Sequence, residues 1–212
     1  MRIGIIIPDR GDRPKFMDNC LRMIDAQTLK AERIVVKGYE NVNGMVDITE
    51  RYRTGYMHLC GKDLDVIAFI ENDDWYDPHY LEYMTTKWIE YGKPEIFGTN
   101  YTIYYHLKLR KYFTMEHYDR ASAMNTFIKP DLDLKWPADN DPYTDIHLWQ
   151  KNRLNGIVIN PERVISIGMK HGEGLCGGRF HTDKLATYTN EDNGFLKATL
   201  DAESYEFYNN YQ

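Results

Sequence analysis

Three short, uninterrupted apolar runs constrain the fold of this 212-residue chain more than any other feature. They are Ile3 to Ile7, Ile34 to Val36 and Val66 to Ile70. An unbroken apolar run is typical of a strand buried on both faces of a sheet, since a strand with one wet face alternates apolar and polar residues. We therefore expect buried strands at the first and third runs and a further strand at the second.

The segments between these runs have the apolar spacing of helices. This alternation predicts an α/β fold whose central sheet is mostly parallel, mixed and flanked by helices. A further helix is expected to begin with Asp77 as N-cap and Pro78 as first residue, and to end at Gly92. The apolar positions are Phe16, Cys20, Leu21 and Ile24 in the first segment, and Ile48, Tyr52, Tyr56 and Leu59 in the second.

The pattern changes after Phe97. Residues 101–106 and 109–115 predict the two strands of a hairpin, and residues 145–155 predict a short helix ended by Gly156. Two further core strands are expected at 157–159 and 164–167.

A loop rich in Gly and His is expected over residues 168–181. We interpret residues 1–190 as a single domain with halves at 1–98 and 99–190. Residues 191–212 form an acidic, aromatic tail whose role the sequence leaves open between a packing arm, a dimer contact and a cover for a cleft.

Composition disfavours several classes of function. The formal net charge of −6 argues against a large nucleic-acid footprint, which needs a basic face. Cys20, Cys60 and Cys176 are widely spaced and indicate reduced thiols. The first apolar run stops at Pro8, too early for a signal peptide or a membrane span. We expect a soluble, cytoplasmic protein, and a virus-encoded protein in a host cytoplasm is compatible with the same features.

The strongest chemical signal is the segment Glu71-Asn72-Asp73-Asp74, called the acidic turn below, which directly follows a predicted buried strand. Ligands of open parallel sheets bind beyond the carboxyl ends of the strands. Three carboxylates in four residues repel one another unless a cation or hydrogen-bond donors offset them. A divalent metal ion would offset them; the alternative is a solvated turn in which Asp74 or Asp77 only caps the next helix.

The acidic turn and the N-terminal segment together resemble the family 2 glycosyltransferases, whose fold is called GT-A. The signature of that family is a DxD motif, Asp-x-Asp-Asp, at the end of a strand, with a Pro five residues after its second Asp. Here Pro78 stands five residues after Asp73. The resemblance covers residues 1 to about 85 closely and about 120 to 181 loosely. Its N-terminal part is carried by Ile5-Ile6-Ile7-Pro8, Arg13-Pro14-Lys15-Phe16, Cys20-Leu21 and Gln27-Thr28.

The resemblance implies a metal-dependent transfer of a sugar from a nucleoside-diphosphate sugar to an acceptor hydroxyl, with inversion. It implies a Rossmann-like half (1–98) that binds the nucleotide sugar and an acceptor-facing half (99–190). Asp73 would ligate Mn²⁺ or Mg²⁺, and Glu71 would approach the nucleotide ribose. Lys37 precedes Gly38 where many members have an acidic residue that contacts the base, so a uridine preference does not carry over. The remaining residues predicted to line the donor are Pro8, Asp9, Arg10, Arg13, Asn72 and Asp74.

Inverting transfer also needs a base that takes the proton of the acceptor hydroxyl. Members of the family place it in a Glu-Asp pair that opens a helix, and the segment from Thr144 to Trp149 resembles that stretch with Thr144 in place of Glu. Asp145 is therefore the predicted base, and Asp139 and Asp141 are fallback candidates. The alternative for Asp145 is an ordinary helix N-terminal carboxylate that the helix dipole stabilises.

The glycine-rich loop supplies the last candidates. Related transferases often close a late loop over the donor, and some use a late His as a third metal ligand. His171 directly follows the last predicted core strand and is the candidate, ahead of His181. Lys170 and Arg179 are predicted to contact the diphosphate.

Two other functions remain compatible with the sequence. One is a sugar-phosphate nucleotidyltransferase, although the turn after the first strand has only Gly11 where a glycine-rich phosphate loop is expected. The other is a catalytically inactive relative that binds nucleotide or glycan. The sequence leaves open the nucleotide, the sugar, the stereochemical outcome, the acceptor (glycan, protein or modified nucleobase) and whether the chain forms a homo-oligomer.

Overall fold

The computed structural model describes residues 1–37, 46–152, 156–172 and 185–211. Strands and helices alternate through the N-terminal part, as the apolar runs predict. The strands are β1 (Ile3–Asp9), β2 (Glu32–Lys37), β3 (Val66–Phe69), β4 (Trp75–Tyr76), β5 (Ile96–Thr99), β6 (Tyr101–His106), β7 (Lys111–Glu116), β8 (Thr126–Ile128), β9 (Gly156–Ile159), β10 (Ser166–Lys170) and β11 (Asn190–Glu191). The helices are α1 (Pro14–Asp25), α2 (Ile48–Leu59), α3 (Tyr80–Glu90), α4 (Thr144–Lys151), and two near the C-terminus, Phe195–Thr199 and Ala202–Asn209.

The main sheet has six strands in the order β2-β1-β3-β8-β5-β9. β1 pairs in parallel with β2 and β3, and β5 pairs in parallel with β9. β8 lies between β3 and β5 and is antiparallel to both. The prediction of a mostly parallel, mixed sheet is therefore confirmed, although β8 and β4 were not predicted.

Both faces of this sheet are covered, which explains the unbroken apolar runs. Ile5 of β1 belongs to a core cluster with side chains of α1 and α3, whereas Ile6 belongs to a second cluster with side chains of α2 and α4. Both isoleucines are fully buried. Because successive residues of a strand point to opposite faces, a sheet buried on both sides needs apolar residues at every position.

A second sheet, in the order β11-β7-β6-β10-β4, decides the geometry of the candidate site. β6 and β7 form the predicted antiparallel hairpin. β10 pairs in parallel with β6 and antiparallel with β4, the strand that directly follows the acidic turn. The end of β10 is thereby brought against the acidic turn, although the two are far apart in the sequence.

Several predicted boundaries are wrong, among them the start of β7, which is Lys111 instead of Leu109. α3 begins at Tyr80 instead of Pro78, because the Asp77 carboxylate accepts the backbone N–H of His79 in a turn that precedes the helix. The helix expected over 145–155 ends at Lys151. β10 continues to Lys170, so the first residues of the expected loop are strand. Gly168 permits this, since a Cβ there would lie 2.7 Å from the ring of Tyr104 on β6.

The C-terminal tail packs onto the domain. Leu196, Leu200 and Tyr208 are buried in the larger core cluster, and Arg22 of α1 donates a hydrogen bond of 2.6 Å to the hydroxyl of Ser204. This contact supports the packing-arm interpretation. The division of the domain at residues 98 and 190 stays a prediction. Within the described ranges, no helix has the length and apolarity that a membrane span requires.

Candidate active site

The acidic turn lies where the ends of β1 and β3 meet. The backbone N–H of Ile70 donates to the carbonyl of Ile6 at 3.0 Å, so the parallel pairing of the two strands persists to the residue before the turn. Parallel strands end at the same edge of a sheet, and Asp9, the last residue of β1, therefore faces the acidic turn. This is the edge at which open α/β sheets bind ligands.

Asp9 joins the turn after β1 to the acidic turn. Its Oδ1 accepts the side-chain N–H of Asn72 at 3.0 Å and the backbone N–H of Gly11 at 3.0 Å. Gly11 has a φ of +78°, a conformation in which a side chain is strained. Pro8 is buried in β1 and pairs with Val36 of β2, so it helps to fix the position of Asp9.

The guanidinium of Arg13 contacts the acidic turn directly. Arg13 is the residue before α1, and its Nη1 is in direct contact with Oδ2 of Asp73. Its Nη2 donates to Oδ1 of Asn72 at 3.1 Å. Arg10 instead pairs with Asp12. The two arginines predicted to line a donor therefore have different environments.

His171 completes this cluster from the end of β10. Its Nε2 lies 2.9 Å from Oδ2 of Asp73 and 3.1 Å from Nη1 of Arg13. The side chain is fully buried, and its ring centroid is 4.6 Å from that of Phe16 on α1. The structure thus brings together the two residues, Asp73 and His171, that were predicted as metal ligands; their role as ligands stays a prediction.

Asp74 is fully buried, and only one of its two carboxylate oxygens accepts a hydrogen bond from the described residues. Its Oδ1 accepts the backbone N–H of Met169 on β10 at 2.8 Å. Among the described residues, no donor lies within hydrogen-bond distance of its Oδ2. The pKa of Asp74 is well above its usual range, because burial disfavours the charge and the carboxylates of Glu71 and Asp73 repel it. A buried Asp74 tied to β10 contradicts the alternative of a solvated turn that caps the next helix.

The pKa values of two carboxylates in the acidic turn, Glu71 and Asp73, are shifted in opposite directions. Burial raises the pKa of Glu71, and the nearby charges of Asp73 and Asp145 add to this effect while Lys170 opposes it. Burial also acts to raise the pKa of Asp73, but the guanidinium of Arg13 and the contact with His171 outweigh it and hold the pKa below the usual range.

Lys170 is a second cation beside the acidic turn. It is buried, and its ammonium lies 5.0 Å from the ring centroid of Tyr104, a cation–π distance. Burial alone would lower the pKa of Lys170, but the carboxylates of Asp74 and Glu71 raise it above its usual range. Lys170 is therefore charged in a place where it partly neutralises the acidic turn.

The residues present fit a divalent cation. One ligand atom each from Glu71, Asp73 and Asp74 lie within 4.8 Å of one another. A single hard cation holds oxygen ligands at about 2.0–2.6 Å, so its ligands are at most about 5 Å apart. When ionised, the three carboxylates also outnumber Arg13 and Lys170 by one charge, and the free Oδ2 of Asp74 gives a further cation an oxygen to bind.

Comparisons with known proteins concern the fold. No protein-family model and no curated protein matches the sequence. Among solved structures, the chain superposes on S. aureus TarS 1–349 in complex with UDP-GlcNAc, with a TM-score of 0.58 and 12% identity, over 98% of this chain and 78% of that chain. For TarS 1–349 in complex with UDP the TM-score is 0.54, at 12% identity, over 96% and 77% of the two chains.

The chain has a GT-A-like glycosyltransferase fold. The fold implied by the sequence resemblance is therefore confirmed. A further likeness, to a glycosyltransferase involved in the glycosylation of the major capsid of PBCV-1, covers 76% of this chain and 83% of that one at 10% identity. Its TM-score of 0.43 is too low to carry an argument.

In this GT-A-like fold the predicted base stands at the start of α4. Asp145 lies in the first turn of the helix, and its carboxylate contacts the guanidinium of Arg120. Burial raises the pKa of Asp145, and Arg120 and the N–H groups of the helix start oppose the shift. Thr144, which stands in place of the family's Glu, is buried and its hydroxyl lies 2.6 Å from that of Thr49 on α2.

The fallback candidates for the base are engaged elsewhere. Asp139 accepts a hydrogen bond of 2.8 Å from Arg53, and Asp141 contacts the ring of His147. Arg179 and His181 lie outside the described residues, as does Cys176.

Sequence reasoning missed three side chains of the site. Arg120 belongs to no local motif, and only the tertiary structure pairs it with Asp145. Tyr104 supports Lys170, and the hydroxyl of Tyr208 donates to the carbonyl of Asp73 at 3.4 Å. The abundance of Tyr in the tail was visible in the sequence, but nothing in it indicated which Tyr meets the acidic turn.

Proposed function

We propose that this protein is a metal-dependent glycosyltransferase that moves a sugar from a nucleoside-diphosphate sugar to an acceptor hydroxyl. The carrying observation is the cluster of three carboxylates, one of them buried and two partly buried, at the ligand-binding edge of the sheet. The fold supports the proposal, because TarS, which shares it, binds UDP-GlcNAc and UDP.

The donor would lie along the edge formed by the end of β1 and the acidic turn. Asp73 and His171 would hold Mn²⁺ or Mg²⁺, with Oδ2 of Asp74 as a further oxygen, and Glu71 would reach the ribose. A divalent ion bound there would offset the charge of the departing diphosphate. The other chain groups proposed to contact the donor are Pro8, Asp9, Arg10, Arg13, Asn72, Lys170 and Arg179.

Asp145 would act as the general base. Its carboxylate would take the proton of the acceptor hydroxyl while the oxygen forms a bond to the anomeric carbon, and the bond from that carbon to the diphosphate breaks. Attack opposite to the leaving group gives inversion. Arg120 would keep Asp145 ionised before the step, since burial alone favours the protonated carboxyl. The cytoplasmic location, the viral origin and the homo-oligomer considered from the sequence stay predictions.

The test is release of nucleoside diphosphate from a panel of sugar donors that begins with UDP-GlcNAc, with and without Mn²⁺. Release that depends on Mn²⁺ supports the proposal. Exchange of pyrophosphate instead of release of diphosphate would identify a sugar-phosphate nucleotidyltransferase. Donor binding without either reaction, across donors and candidate acceptors, would identify an inactive relative.

A further inference from the structure

We infer that Arg13 occupies the cation position of the acidic turn in the ligand-free protein, and that it competes with the divalent ion for Asp73. The inference rests on the proposed function, because it takes the carboxylates of the acidic turn as the ion site. It adds a second state: Arg13 leaves Asp73 when the ion and the diphosphate of the donor bind.

The two proposed ion ligands are the same two atoms that Arg13 contacts. Nη1 of Arg13 touches Oδ2 of Asp73 and lies 3.1 Å from Nε2 of His171, and those two atoms are 2.9 Å apart. An ion held by both atoms at about 2.0–2.2 Å would lie against Nη1. Two positive charges at such a distance repel strongly in a buried site, so the guanidinium and the ion exclude each other.

The hydrogen bonding of His171 is frustrated in this arrangement. Its Nε2 faces a donor, the N–H of Arg13, and an acceptor, the carboxylate of Asp73. A ring nitrogen either carries a proton and donates, or has a lone pair and accepts, so it satisfies only one of these partners. If Arg13 moves away and an ion takes its place, a lone pair on Nε2 is directed at a suitable partner.

Arg13 also has unused capacity for a second partner. Its Nε is buried without a hydrogen bond among the described residues, and Oδ1 of Asp12 is 3.6 Å from it, beyond hydrogen-bond distance. Its place before α1 is unfavourable for a cation, because the helix dipole is positive there. The diphosphate of a donor offers Arg13 pairs of oxygens that a planar guanidinium binds with two donors at once.

Competition has a measurable consequence. An opposite charge within a few ångströms lowers the affinity of a carboxylate for a proton by about 10- to 1,000-fold. A metal ion that binds the carboxylate must compete with the same charge. The ion should therefore bind weakly to the free protein. It should bind more tightly once a diphosphate draws Arg13 from Asp73, which makes the two ligands cooperative.

The experiment measures Mn²⁺ binding to the full chain without any nucleotide, by isothermal titration calorimetry, in wild type, Arg13→Gln, Lys15→Gln and Asp73→Asn. Lys15→Gln is the matched control, because it removes one positive charge from an exposed position two residues away. We expect Arg13→Gln to bind Mn²⁺ at least about ten-fold more tightly than wild type, Lys15→Gln to match wild type, and Asp73→Asn to lose binding.

The outcomes separate the two proposals. Equal Mn²⁺ affinity in wild type and Arg13→Gln, with binding lost in Asp73→Asn, would overturn the competition and leave the ion site standing. Binding in Asp73→Asn that equals wild type, or no binding in wild type and Arg13→Gln alike, would overturn both.

A second measurement covers the case in which Arg13→Gln folds poorly. Removing Arg13 leaves the negative charge of the carboxylates less neutralised, so the Tm of Arg13→Gln without metal should be lower than that of wild type. Since a ligand stabilises the folded state according to its affinity, Mn²⁺ should raise the Tm of Arg13→Gln by more than it raises that of wild type. A smaller or equal rise would contradict the inference.

Discussion

The acidic turn and the start of α4 are both acidic sites beside a partly buried arginine, but they differ in how their charge is balanced. At α4 one carboxylate, Asp145, faces one guanidinium, Arg120. At the acidic turn three carboxylates face the cations of Arg13 and Lys170, and one carboxylate oxygen of Asp74 has no donor in the described part of the chain. The first site is neutral by itself, whereas the second is neutral only while one of its carboxyls keeps its proton, and full ionisation of its three carboxylates needs a further cation.

The difference appears in the pKa values of two aspartates. The pKa of Asp73 is held below its usual range by Arg13 and His171, and that of Asp145 is raised by burial despite Arg120. A carboxylate that stays ionised is suited to bind a cation, and one whose pKa is raised is suited to accept a proton. Asp73 is therefore suited to bind a cation, and Asp145 is suited to accept a proton.

The largest expected effect tests the acidic turn. Asp73→Asn removes the charge that Arg13 and the ion share, and we expect Mn²⁺-dependent donor turnover to fall at least about 100-fold, the scale on which lost transition-state charge stabilisation is felt. Asp63→Asn is the control, because Asp63 is an exposed aspartate that pairs with Arg2. Steady-state release of nucleoside diphosphate measures the effect, with circular dichroism to verify the fold.

Turnover of Asp73→Asn within a few-fold of wild type would contradict the role proposed for the acidic turn. The charge of the acidic turn would then have no part in the reaction.

The next effect tests the start of α4. Asp145→Asn keeps the shape of the side chain and removes the base, so transfer should slow by about 10²- to 10⁴-fold while donor binding is unchanged. Rates of transfer and donor Kd values are compared with those of Asp133→Asn, an exposed aspartate in the loop before α4. Unchanged transfer in Asp145→Asn would remove this residue from the mechanism.

A substitution in the core of the main sheet, Gly98→Ala, should affect the site at Asp145 and spare the acidic turn. A Cβ on Gly98 of β5 would meet the side chain of Ala121, the backbone carbonyl of Asn125 at 2.6 Å and the ring of Trp149 on α4 at 3.1 Å. Gly98→Ala should therefore lower the free energy of unfolding by about 1–3 kcal/mol, because a backbone atom cannot easily yield.

Ala121 adjoins Arg120 and Trp149 belongs to the helix of Asp145, so Gly98→Ala should slow transfer but leave Mn²⁺ affinity as in wild type. Urea unfolding and calorimetry measure the two quantities. A weakened Mn²⁺ affinity together with unaltered transfer would reverse this assignment.

The smallest effect concerns pH. His117, near Arg120 in the chain, has a pKa lowered to about 4 by burial and by the charge of Arg120. In the unfolded chain its pKa is about 6.5. Between these values the unfolded state binds the proton first, so the stability is fully present above about pH 6.5 and is lost as the pH falls towards 4.

The contribution of His117 should reach a slope of about 1 kcal/mol per pH unit at most. Urea unfolding of wild type and His117→Gln at several pH values measures it, and the variant should show a flatter dependence in this window. Parallel curves would show that His117 does not set the acid sensitivity of the fold.

Several features were determined by the sequence alone. The unbroken apolar runs indicated β1 and β3, because a strand covered on both faces requires apolar residues at every position. The run Ile34 to Val36 also indicated a strand, but β2 lies at the edge of the sheet and these residues are only partly buried. The acidic turn was located for the same reason, since it begins where one of these runs stops. The GT-A-like fold followed from these local patterns together with the family resemblance.

Only the tertiary structure decided which side chains meet. Arg13 contacts Asp73 and His171 across 60 and 158 residues of sequence, and Arg120 contacts Asp145 across 25. The contact with His171 depends on the order of strands in the second sheet, where β10 lies between β6 and β4. Strand order results from the packing of distant segments, which leaves no periodic pattern in the residues themselves.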